Sequence, residues 1–74
     1  MKHLDGNLEE EILQEISEAK KNGTCNILVA IPLISYDFAV DIVLGIENIH
    51  WSFDWEPQEG VEDNYCTLSV WWEN

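Results

Sequence analysis

The first strong pattern along the chain is helical. Leu8, Ile12 and Ile16 recur every four residues, and Ala19 follows three positions later. This spacing places apolar side chains on one face of an α-helix, with the intervening glutamates largely on the other face. The pattern predicts an amphipathic helix over residues 8–21.

Both ends of this predicted helix carry terminal signals. Asn7 is a candidate N-cap, and Glu10 stands three positions later, where a capping box would place its carboxylate near the Asn7 N–H. Lys20 and Lys21 suit the negative end of the helix dipole, and Gly23 can adopt the left-handed conformation that closes a helix. These local signals all support the same boundaries.

The rest of the chain shows patterns typical of β-strands. Residues 25–34 form an almost continuous apolar run, and residues 50–55 and 65–73 alternate between apolar and polar positions. Pro32 lacks a backbone donor, which favours an edge strand or a bulge at that point. We predict strands over residues 25–34, 50–55 and 65–73.

The hydrophobic pattern of residues 35–49 fits both the period of a strand and the period of a helix. Apolar residues alternate from Phe38 to Ile46, as in a strand over residues 38–46. Phe38, Ile42 and Ile46 also recur every four residues, as in a helix capped by Ser35. The β-branched content and Gly45 favour the strand.

Together these elements predict an α+β fold in a single domain over residues 1–74. The N-terminal helix is expected to pack on one face of a three- to four-stranded antiparallel sheet, in the order αβββ or αββββ. The other face of the sheet is expected to be partly solvated.

The net charge of the chain bears most strongly on the expected function. The 74 residues contain 15 acidic and three basic side chains, a formal net charge of −12. A net charge of about 2 to 8 in magnitude already keeps a small domain soluble. The excess predicts a positively charged protein partner and argues against direct binding to nucleic acid or anionic lipid.

The strand predictions place several acids on the solvated face or its rim. Same-face residues on a strand lie roughly 6.6 to 6.8 Å apart, so their carboxylates could imitate a row of phosphates. The alternative is a solvated face with no partner. The predicted charged surface consists of Asp37, Asp41, Asp54, Glu56, Glu59, Glu62 and Asp63.

Aromatic residues supply a second set of candidates. Trp71 and Trp72 are adjacent, so on a strand they point to opposite faces, and one of them lies outside the core. We predict that Trp71, with Tyr65, is the exposed aromatic contact. Trp51, Trp55 and Trp72 are expected to fill the core under the helix.

Other chemistry has little support in the sequence. The acids between Asp54 and Asp63 do not follow the spacing of an EF-hand calcium loop, Cys25 and Cys66 form no metal-binding pair, and His3 and His50 are isolated. A pair of carboxylates could serve a glycosidase, but so short a chain leaves little material for a substrate cleft. We expect a binding protein, not an enzyme, with no cofactor, no metal and two reduced thiols. The start of the chain carries no signal-peptide pattern, which predicts a cytoplasmic location.

In size, charge and expected α+β order, the chain resembles the small acidic proteins with which phages and mobile elements disable host nucleases. These include anti-CRISPR and anti-restriction inhibitors that mimic DNA. The resemblance implies binding to the basic nucleic-acid-binding surface of a nuclease or nuclease complex, in the cytoplasm of a bacterial host cell. Two alternatives stay open: an immunity protein that neutralises one nuclease toxin, and a homo-oligomeric interaction module joined through its Trp-rich strand.

Overall fold

The computed structural model describes residues 2–55 and 64–73. Its fold is α+β, as the sequence predicts. The strands are β1 (Lys2–His3), β2 (Asn26–Pro32), β3 (His50–Asp54) and β4 (Tyr65–Trp71). The helices are α1 (Leu8–Lys21) and α2 (Tyr36–Leu44), and a short 3₁₀ turn (Leu33–Ser35) leads into α2.

The sheet is mixed, which corrects the prediction of a purely antiparallel one. Its strand order is β1-β2-β4-β3, with β1 parallel to β2 and both other pairs antiparallel. The two-residue strand β1 was not predicted. It is parallel to β2 because α1 carries the chain back across the sheet between them, as parallel pairing requires.

The strand predicted over residues 38–46 is wrong, and the helical alternative is the observed one. In α2, Ala39, Ile42 and Val43 are buried and Ile46 packs against the core. This is the i, i+3, i+4, i+7 stripe of an amphipathic helix. The β-branched residues that favoured a strand are accommodated because packing against α1 and β2 outweighs local strand preference.

Both helices lie on one face of the sheet, which we call the core face. The strand register places the buried β2 residues Ile27, Val29 and Ile31 opposite the buried β4 residues Val70, Leu68 and Cys66. The Tyr36 ring of α2 contacts the Phe53 ring on the same face of β3, with centroids 4.8 Å apart. The helix residues in this core are Leu8, Ile12, Ile16, Ala39, Ile42 and Val43.

The predicted capping interactions at both ends of α1 are present, except that a different glutamate accepts the hydrogen bond from the preceding loop. The Asn7 side chain accepts the Glu10 N–H at 3.2 Å, and Gly23 has φ of +78°. Thr24 N–H donates to the Ala19 carbonyl and Gly23 N–H to the Lys20 carbonyl, which together form a Schellman motif. The returning carboxylate belongs to Glu11, which accepts the Gly6 N–H at 3.4 Å, and not to the predicted Glu10.

Loss of the Asn7 cap is expected to weaken α1. Asn7→Ala removes the acceptor for the Glu10 N–H and should lower the free energy of unfolding by about 1 kcal/mol. Asn7→Asp keeps an acceptor and is the matched control. Urea denaturation followed by circular dichroism measures both. Equal stability of Asn7→Ala and the wild type would show that this bond contributes nothing.

Pro32 ends a strand that is not at the edge of the sheet. The next donor, Leu33 N–H, bonds to the Asn64 carbonyl beside β4 at 2.8 Å. Successive backbone donors point to opposite sides of a strand, so Pro32 lacks its donor on the β1 side. The pairing of β1 with β2 extends only as far as Ala30. Pro32 therefore has no strand partner on that side, and the sheet loses no hydrogen bond there.

Candidate partner-binding surface

Most of the described acids project from the helices. Both helices cover the core face, so these side chains belong to the helix layer, with Glu15 and Glu18 at its margin beside β1 and β2. Acidic residues crowd the first turn of α1, and α2 carries two exposed aspartates. We call this set the acidic helix surface: Glu9, Glu10, Glu11, Glu15, Glu18, Asp37 and Asp41.

The positive charges of the chain leave much of this surface without a counter-charge. Lys2 forms an ion pair with Glu15, whose hydrogen bond and charge raise the pKa of Lys2 above its ordinary value. The Lys20 ammonium lies 5.6 Å from the centroid of the Trp72 ring. Lys21 is in the last turn of α1, about 18 Å along the helix axis from Glu9. Within residues 2–55 and 64–73, no ion pair joins Glu9, Asp37 or Asp41 to a cation.

Asp37 and Asp41 belong to this surface and not to the strand face where the sequence prediction put them. They lie one turn apart on α2, with their Cα atoms separated by a rise of about 6 Å. Both side chains are exposed. The correction follows from the helical course of residues 36–44, which places these two carboxylates in the helix layer and not on the sheet.

Asp41 occupies an unfavourable place for helix stability. It lies in the last turn of α2, where the helix dipole is negative, and α2 has no basic residue in that turn. A negative charge there costs typically about 0.3 to 1 kcal/mol, and the like charge of Asp37 four residues earlier adds about 0.2 to 0.5 kcal/mol. Asp37 itself is in the favourable first turn. Folding therefore does not account for the carboxylate of Asp41.

A groove separates the two helices on this surface. Its cavity volume is about 240 Å³. Glu9 is its acidic residue from α1 and Asp41 its acidic residue from α2, while the rest of the lining is apolar residues and one glycine. Leu13 remains 45% exposed there. The lining residues are Glu9, Leu13, Asp41, Ile42, Gly45 and Ile46.

The other predicted acids are separated from this surface. Asp54 lies on β3 directly across from Thr67, a position that faces away from the helices. The strand prediction required Asp54 to share a face with Asp37 and Asp41, and it does not. Glu56, Glu59, Glu62 and Asp63 lie outside the described residues.

The two predicted aromatic contacts differ in exposure. Trp71 is 41% exposed on the face opposite the helices and stacks on His50, with centroids 5.8 Å apart, whereas Trp72 is buried. The prediction that one of this pair lies outside the core is confirmed. Tyr65 is half-buried: its ring contacts His3, and its hydroxyl donates to the Asp5 carboxylate. Tyr65 is therefore less exposed than Trp71, and its role as a contact stays a prediction.

The other two tryptophans, Trp51 and Trp55, differ in burial. Trp51 packs against the core as predicted. Trp55 is 51% exposed and contacts Tyr36, so its prediction as a core residue is wrong. It follows the last residue of β3, where the alternation that assigned it to the core face has ended.

Other kinds of site find little support among the described residues. In residues 2–55 and 64–73, no three His, Cys, Asp or Glu side chains come together as metal ligands. Cys25 and Cys66 are free thiols, and burial raises the pKa of Cys66. No helix in this part of the chain has the length and apolarity needed to span a bilayer.

Comparison with known proteins finds no match to a family model, a curated protein or a solved structure. The acidic helix surface therefore has to be interpreted from its own geometry. The sequence prediction did not include the α1 acids in the charged surface, and it missed the groove. A signal for the groove was Leu13, an apolar residue placed beside the core stripe of α1.

Proposed function

We propose that this protein is an inhibitor that binds the positively charged nucleic-acid-binding surface of a nuclease. Its target is a nuclease or nuclease complex of a host-defence system, of the CRISPR or restriction type. The acidic helix surface takes the place of DNA in that site. The observation that carries the proposal is the set of carboxylates on the two helices, of which Glu9, Asp37 and Asp41 form no ion pair within residues 2–55 and 64–73.

The electrostatics favour this class of partner over others. A net charge of −12 repels nucleic acid, anionic lipid and a second copy of the chain alike. A groove lined by Lys and Arg to neutralise phosphates would attract it and would exclude neutral partners. The position of Asp41 supports the same conclusion. Its charge lowers the stability of α2, so a favourable contribution of this carboxylate requires a cation of a partner.

Competition with DNA tests the proposal. Purified nucleases and DNA-binding subunits of CRISPR and restriction complexes are each bound to a labelled duplex, and displacement is followed by fluorescence anisotropy. For the true target we expect displacement of the duplex and an affinity that falls at least about tenfold between about 50 and 200 mM salt. Lysozyme, a basic protein that does not depend on nucleic acid, is the control for non-specific attraction.

Two results would contradict the proposal. One is a ternary complex in which DNA and this protein occupy the target together, because mimicry requires exclusion. The other is an affinity that stays flat as the salt concentration rises, since the proposed interaction is carried by exposed charges.

A further inference from the structure

We propose that the groove between α1 and α2 is a receptor for one arginine side chain of the partner protein. This inference rests on the proposed function, which supplies a basic partner, and it names the point at which that partner is anchored. The groove combines an apolar lining with one acidic residue from each of the two helices.

The lining matches the two chemically different parts of an arginine. Leu13, Ile42 and Ile46 offer apolar contact to the three methylene groups of the stem. Glu9 and Asp41 present carboxylates to the guanidinium, whose planar fork of five donors can serve two acceptors at once. An arginine head group is also less strongly hydrated than a lysine ammonium, so it enters a partly apolar groove at lower cost.

No lysine of the chain fills this place. Lys2 is paired with Glu15 and Lys20 lies over Trp72. Lys21 is at the opposite end of α1 from Glu9. The carboxylates of the groove are therefore open to a cation from outside the chain, and their charge selects an arginine over a neutral or acidic side chain.

Gly45 gives a way to fill the groove without changing its charge. A Cβ added there would meet only the Ile42 and Asp41 carbonyl oxygens, at ordinary contact distances of 3.5 and 3.6 Å. Gly45 has right-handed helical φ and ψ, so its Cβ projects between the directions of Asp41 and Ile42 around the helix axis. Gly45→Leu should therefore preserve the fold and occupy the groove.

The test uses the whole protein and capped arginine, acetylated at its amino end and amidated at its carboxyl end. Titration of the ¹⁵N-labelled chain is followed by amide chemical shifts. We expect saturable shifts concentrated at Glu9, Leu13, Asp41 and Gly45, with a dissociation constant on the order of 1 mM. Capped citrulline has nearly the same shape without the charge and should produce no saturable shift.

Variants separate the groove from general charge attraction. Gly45→Leu should weaken capped-arginine binding at least about tenfold. Ser52→Leu, exposed on the face of the sheet opposite the helices, adds a similar apolar side chain far from the groove and should leave binding unchanged. Equal weakening by both variants would overturn the assignment.

Other outcomes also decide against the proposal. Shifts spread evenly over all acidic residues would show diffuse attraction of cations, and equal shifts with capped lysine would remove the preference for arginine. Concentration-dependent shifts at the groove without any ligand would assign it to a second copy of the chain. Since none of these measurements uses the nuclease, their failure leaves the proposed function to be judged by DNA competition alone.

Discussion

Leu68→Ala is expected to remove much of the stability of the fold. Leu68 is fully buried on β4, with Val29 of β2 on one side and Phe53 of β3 on the other. Truncating a buried leucine costs about 2 to 5 kcal/mol, because apolar contact is lost and a cavity remains. A chain of this length has a free energy of unfolding of only about 4 to 11 kcal/mol. A loss near 3 kcal/mol would lower the melting temperature by roughly 12 to 24 °C.

Leu44→Ala is the matched control. Leu44 undergoes the same chemical change on α2 but is 65% exposed, so its truncation should alter the free energy of unfolding by less than about 0.5 kcal/mol. Thermal and urea denaturation of both variants measure the difference. If Leu68→Ala cost less than about 1 kcal/mol, Leu68 could not lie at the centre of the core as described.

The predictability of α1 has a local cause. Its apolar stripe, its Asn7 cap and its Gly23 closing residue agree on the same boundaries, and each signal depends only on residues close in sequence. The strands β2, β3 and β4 were found for a similar reason, since their patterns reflect which face is buried. Such elements can be predicted from a single sequence because tertiary packing reinforces the local preferences.

The course of α2 could not be decided in this way. Phe38, Ile42 and Ile46 satisfy a period of four, while the same segment also alternates, and strand-forming Val and Ile occupy both patterns. The choice depends on what the segment packs against, which is α1 and β2. β1 was missed for a related reason: its two residues are too few to form a pattern, although Leu4 directly after it is completely buried.

The error at α2 also misplaced the candidate site. A strand over residues 38–46 would have put Asp37 and Asp41 on the same face or rim of the sheet as Asp54, whereas the helix removes both from the sheet and brings Asp41 to the groove that Glu9 also lines. The identity of the charged residues came from the sequence, but their grouping came from the fold. The contribution of the α1 acids, and the groove that Glu9 shares with Asp41, depend on two helices meeting in space.

Neutralising the α2 aspartates is expected to separate binding from stability. Asp37→Asn combined with Asp41→Asn removes two exposed carboxylates that have no ion pair among the described residues. Binding to the proposed nuclease target should fall about 10- to 100-fold, mainly through slower association and with a shallower salt dependence. Asp41→Asn alone should leave the free energy of unfolding unchanged or raise it by up to about 1 kcal/mol, because it removes a charge from the negative end of α2.

The control removes the same amount of charge elsewhere. Asp54→Asn combined with Glu73→Gln leaves both helices unaltered and gives the same net charge as the α2 double variant. Surface plasmon resonance at several salt concentrations compares the two, with melting temperatures recorded for each. If only the total charge mattered, both double variants would weaken binding equally, and the acidic helix surface would have no special role. A selective loss in the α2 double variant, with an unchanged or higher stability of Asp41→Asn alone, would instead show that both aspartates serve recognition and that Asp41 does so at the expense of helix stability.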